Sequence, residues 1–85
     1  MFNYKIMEWD NFYFLFTPDT PYGDRRHVLE DSLQITREEL DQQIINYGGI
    51  ENAAWVGFPT EELVQIFIDN FIEPRLVMIK LTNNL

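Results

Sequence analysis

Few side chains in this sequence are able to do covalent or acid–base chemistry. The chain has one serine, Ser32, one histidine, His27, and no cysteine. A nucleophile and base drawn from that pair lie five residues apart. They are too distant for a hydrogen bond if the chain is extended, only loosely on one side if it is helical, and no acid is spaced to orient the histidine. The lack of cysteine excludes disulfides, zinc ribbons, iron–sulfur ligation and thiol catalysis together, and suits a reducing compartment, the cytoplasm. The segment from Asp19 carries Glu30 at its twelfth position, but Pro21 and Gly23 stand where a calcium loop needs side-chain oxygens and Asp24 stands where it needs glycine. The paired carboxylates Glu38-Glu39 and Glu61-Glu62 each fall in the first turn of a helix start, where the helix dipole favours acid. No phosphate loop, dinucleotide fingerprint or metalloprotease motif occurs. The expectation is a protein that is not an enzyme and holds no cofactor or metal.

What the residues do supply is negative charge. With 14 Asp and Glu against 6 Lys and Arg, the 85 residues carry a formal charge of −8, which argues against direct nucleic-acid binding. The length fits one domain spanning residues 1–85. Glu30, Asp31, Glu38, Glu39 and Asp41 cluster around Arg37, and Glu51, Glu61, Glu62, Asp69 and Glu73 continue the excess. Duplex DNA shows one phosphate per ~3.4 Å of axis per strand. Carboxylates three or four residues apart on a helix are about 5–6 Å apart, so an acidic helix imitates a stretch of backbone. An acidic face that merely keeps a small protein dissolved accounts for the same charge.

The elements that must position these groups are read from turn chemistry and periodicity. Asn3 to Thr17 is dense in Tyr, Ile, Trp and Phe, and Asp10-Asn11 tolerates positive φ, so a β-hairpin is predicted with Trp9 opposite Phe12. Met7, Trp9, Phe12, Phe14 and Phe16 share one of its faces with Lys5, while Tyr4, Ile6, Glu8, Tyr13, Leu15 and Thr17 share the other. Either a helix covers one face of a central hairpin, or part of an aromatic face is left for a partner. Pro18 to Asp24 forms the main loop, and Val28 to Ile35 reads as a short strand or extended lead-in.

Thr36 with Glu39 makes a capping box, with Ile35 and Leu40 as a hydrophobic staple, so a helix starts at Thr36 and ends at Gly48-Gly49. Leu40, Ile44 and Tyr47 fall on its inner side, with Glu38, Asp41 and Gln42 outward. Ile50 to Phe58 fits a helical turn or a short strand. A second helix begins at Pro59-Thr60 and stops at Glu73-Pro74. Its apolar body Leu63–Ile72 is either core or a stripe for a partner. Leu76 to Leu81 is apolar on both faces and reads as a central strand. The fold class is α+β, with an N-terminal antiparallel hairpin, two helices and a C-terminal strand completing a small sheet. The first residues lack the apolar stretch of a signal peptide, and the longest apolar run, Phe12 to Phe16, is far below the ~20 residues that span a bilayer.

Asp31-Ser32-Leu33, followed by Gln34-Ile35-Thr36-Arg37-Glu38-Glu39-Leu40-Asp41-Gln42-Gln43-Ile44-Ile45, resembles the segment of phage uracil-DNA glycosylase inhibitors in which a Glu-Ser-Ile strand leads into an acidic helix. The resemblance covers about fifteen residues, with Asp in place of Glu and Leu in place of Ile. It implies a DNA-mimicking protein whose motif strand enters the enzyme's DNA cleft. Asp31 and Ser32 would face that cleft, Glu38, Glu39 and Asp41 would meet phosphate-binding groups, and Leu33 would anchor the strand.

The expected function is therefore binding and inhibition of a basic DNA- or RNA-handling enzyme, with uracil-DNA glycosylase or a CRISPR nuclease as targets, in a phage-encoded protein acting in the bacterial cytoplasm. The expected contacts are Glu30, Asp31, Ser32, Leu33, Glu38, Glu39, Asp41 and Gln42, with Tyr22 from the main loop. The alternative is an immunity, antitoxin or scaffold protein, monomer or homodimer, binding one partner through the apolar helix Thr60–Ile72. Neither reading involves a membrane.

Overall fold

Asp10 and Asn11 adopt φ of 53° and 64°, the paired left-handed conformations of a tight hairpin turn. They join β1 (Lys5–Trp9) to β2 (Phe12–Phe16), and the register sets Trp9 opposite Phe12, as the turn chemistry predicts. These positions belong to a computed structural model that describes residues 4–16, 25–52 and 55–83. Tyr22 and the rest of the main loop from Pro18 to Asp24 lie outside the described residues. The segment Ile50 to Phe58 contributes β3 (Ile50–Asn52) and β4 (Trp55–Phe58), which pair with each other. β4 also pairs with β2, giving an antiparallel sheet in the order β1-β2-β4-β3.

Four helices accompany the sheet among the described residues: α1 (Arg25–Leu33), α2 (Arg37–Asn46), α3 (Glu61–Phe67) and α4 (Glu73–Asn83). Leu15, Val56 and Phe58 of the sheet are buried with Leu29 and Leu33 of α1, Leu40 and Ile44 of α2, and Val64 and Phe67 of α3. Ile6 and Tyr13 pack against the same cluster, so the helices cover the sheet face that carries Ile6, Tyr13 and Leu15. The class is α+β with an N-terminal hairpin.

Both expected helix starts are present. Thr36 Oγ1 accepts from the Glu39 N–H at 3.1 Å, and Thr60 Oγ1 accepts from the Leu63 N–H at 3.1 Å. α2 ends in a left-handed Gly48 at φ +83°, with Gly49 N–H donating to the Ile44 carbonyl at 2.8 Å and Gly48 N–H to that of Ile45 at 2.9 Å.

Three expectations are corrected. The lead-in Val28–Ile35 is not extended: Leu29 and Leu33, four apart, are buried on one side of α1, and Ile35 lies beyond its end. Gln34 at φ 54° terminates that helix, with Ile35 N–H donating to the Glu30 carbonyl at 3.2 Å. The second helix does not stop at Glu73-Pro74. A π-helical turn, Ile68–Ile72, in which the Glu73 N–H reaches back to the Ile68 carbonyl, widens the coil just ahead of the proline. Pro74 then sits in the first turn of α4, where its missing N–H is not required. The C-terminal strand is accordingly helix α4, and the hairpin β3–β4 completes the sheet in its place. A short run apolar on all sides carries no period, so strand and helix look alike in the sequence.

Candidate functional site

The sequence points to the acidic segment Glu30–Gln42 as the contact surface and, alternatively, to the helix Thr60–Ile72, and it leaves open whether part of the hairpin's aromatic face is free for a partner. In α2, burial of Leu40 and Ile44 turns the helix so that Glu38, Glu39 and Gln42 are exposed, with Asp41 half-buried. At 100° per residue, Glu38, Asp41 and Gln42 share one outward side and Glu39 lies on the flank. Among the described residues neither Glu38 nor Glu39 has an ion pair, and both also serve the helix start through its dipole.

The rest of the segment departs from the expectation. Glu30 is held by Arg37, whose Nε donates to Glu30 Oε2 at 2.7 Å, so that carboxylate is neutralised within the chain. Asp31, Ser32 and Leu33 form the last turn of α1 rather than a strand. Asp31 is exposed, Ser32 half-buried and Leu33 fully buried, so Leu33 anchors the core and not a partner. Arg75 of α4 closes this helix end, its Nε donating to the Leu33 carbonyl at 2.9 Å and its Nη2 to that of Gln34 at 3.2 Å. In the helix Thr60–Ile72, Val64, Phe67, Ile68 and Ile72 are fully buried and belong to the core, while Ile66 is exposed.

The sheet face turned away from the helices is different. Register places Met7, Phe14, Gly57 and Ile50 in one row across all four strands, with Trp9 and Phe12 paired in the next row of the hairpin. Trp9 is 70% exposed, Met7 46% and Ile50 42%. The ring of Phe14 lies over Gly57, where a Cβ would come within 2.8 Å of Phe14 Cε1, and Trp9 and Phe12 have centroids 6.4 and 6.3 Å from it. Gly57 thus leaves room for the Phe14 ring close over the strand, with the Trp9 and Phe12 rings tilted beside it. Exposed Asp10 lies in the turn at one end of this face, while Glu8 belongs to the opposite face, across from Tyr13. Alternation in the hairpin pointed to this surface, but the contribution of Ile50 depends on the β3–β4 pairing, which the sequence left open.

Among the described residues no three His, Cys, Asp or Glu side chains gather as a metal site, and no helix is long and apolar enough to cross a membrane. No family model, curated protein or solved structure matches the chain.

Proposed function

We propose that this chain is a non-catalytic binding protein that seats a basic protein partner on the outward sheet face formed by Met7, Trp9, Phe12, Phe14 and Ile50. The observation that carries the reading is the uncovered row Met7–Phe14–Gly57–Ile50 with the exposed indole of Trp9 beside it, in a chain of net charge −8. A contiguous exposed apolar patch marks a protein interface, and tryptophan is among the side chains that most often dominate one. The net charge supplies steering toward a positively charged cleft, such as that of a DNA- or RNA-handling enzyme, whose activity the bound protein would block.

A second reading, phosphate imitation by α2, is favoured by exposed Glu38 and Glu39 with Asp41 beside them. It no longer has an extended segment to enter a cleft, since Asp31–Leu33 are helical. The two are separated by inhibition and binding kinetics against uracil-DNA glycosylase and a CRISPR nuclease. On the sheet-face reading, Trp9→Ala weakens binding by about tenfold or more, while Glu38→Lys with Glu39→Lys chiefly slows association. Loss of binding with the lysine pair and none with Trp9→Ala moves the site to α2. Absence of binding to either enzyme removes the nucleic-acid enzyme as partner class.

A further inference from the structure

Helix α4 has two apolar sides and the fold uses one. Arg75 ties it to the end of α1 through the Leu33 and Gln34 carbonyls, and Leu76 packs on the core. That docking points Pro74, Val77, Met78 and Leu81 outward, a set with the i, i+3, i+4, i+7 spacing of a helix–helix seam. Val77 is 55% exposed, Met78 54% and Leu81 63%, the densest run of exposed aliphatic side chains on any described helix.

We infer that this stripe pairs with the same stripe of a second copy of the chain, the two α4 helices running antiparallel. The charges flanking the stripe select that occupant. Glu73 and Lys80 are two helical turns apart, so they lie on the same flank, yet about 10.5 Å apart along the axis they cannot reach each other. Among the described residues neither has an ion pair. A two-fold antiparallel arrangement turns equal flanks toward each other and exchanges the ends of the seam. It places Glu73 against Lys80 of the second copy twice over, while Pro74 meets Leu81 and Val77 meets Met78. A parallel pair puts the two Glu73–Lys80 flanks on opposite sides and leaves these charges unmatched. Because the seam is short, well below the ~800 Å² per partner of a standard stable interface, the dimer is expected to be weak, in about the micromolar range or above.

Sedimentation velocity on the full chain over about a hundredfold range of concentration tests this. A reversible monomer–dimer equilibrium is expected, weakened about tenfold or more by Leu81→Glu or Val77→Glu, with far-ultraviolet circular dichroism showing the monomer still folded. Glu73→Lys alone and Lys80→Glu alone should each weaken it severalfold, and the double exchange should restore it. A chain that stays monomeric throughout overturns the inference. So does a dimer indifferent to Leu81→Glu, or single charge exchanges that the double exchange does not rescue. Since α4 contributes nothing to the outward sheet face, these outcomes are independent of the partner proposed above.

Discussion

Tyr13 stands opposite Glu8 in the hairpin register. The negative charge of the Glu8 carboxylate, its hydrogen bond with the phenol, partial burial and the more distant Glu61 all raise the Tyr13 pKa above the ordinary value of 10.0. A raised pKa means that the folded state prefers the neutral phenol. The resulting stabilisation is fully present below about pH 10 and is lost as pH rises through the folded-state value. Tyrosinate absorbance, with Tyr13→Phe as the reference that isolates this phenol, should show Tyr13 ionising above the ordinary range. Glu8→Gln should bring that transition back down; an unchanged transition would show that Glu8 is not the cause. At this scale much was legible. The Asp10-Asn11 dipeptide announced its own backbone conformation, and that set the register for Tyr13 and for the outward aromatics alike. Gln34 was not legible, because a glutamine in the left-handed region reflects the carbonyls that Arg75 draws toward α4 and no local preference of its own.

Elements with local end signals were readable; those defined by a distant partner were not. Thr36 and Thr60 each supply the hydroxyl that a helix start needs, and Gly48 the left-handed residue that an end needs. By contrast, the apolar run of α4 has no period that separates helix from strand in the sequence, and Pro74 ahead of it resembles a helix terminator. The π-turn ahead of the proline has Ile68 and Ile72, its first and last residues, both buried in the core. The hairpin β3–β4 was equally hidden, since β3 is fixed by its closeness to the end of α2. Gly49 makes that junction possible. A Cβ there would stand 2.7 Å from Phe58 Cε1, 2.9 Å from the Gly57 carbonyl oxygen and 2.9 Å from Ile44 Cγ2. The backbone oxygen cannot rotate away as a side chain can, so Gly49→Ala must push α2 off the sheet. It is expected to destabilise the fold by about 1–3 kcal/mol. Urea unfolding should show a lower midpoint with an unchanged slope. A midpoint equal to that of the parent would mean that α2 and β4 are not in close contact at this point.

For the molecule as a whole, the excess of 14 acidic over 6 basic residues sets the response to salt. The body measures 44 × 24 × 22 Å, comparable to the ~30 Å screening length at 0.01 M salt and well beyond the ~8 Å at 0.15 M, so at low salt its carboxylates repel one another across its full width. The Glu30–Arg37 pair offsets little of this, being local and partly exposed. The midpoint of thermal unfolding should therefore rise as sodium chloride is added, and a fall would mean that internal ion pairs outweigh the repulsion. The same titration acts in opposite directions on the two proposed interactions. Two copies meeting along α4 each bring a charge of −8, so screening strengthens their association even though it weakens the Glu73–Lys80 contacts at the seam. A basic partner approaching the sheet face is attracted by that same charge, so its association slows as salt increases. Measured on one sample series, a dimer that tightens and a heterologous complex that forms more slowly would identify two separate surfaces. If both moved the same way, the long-range field would not be acting on them as proposed.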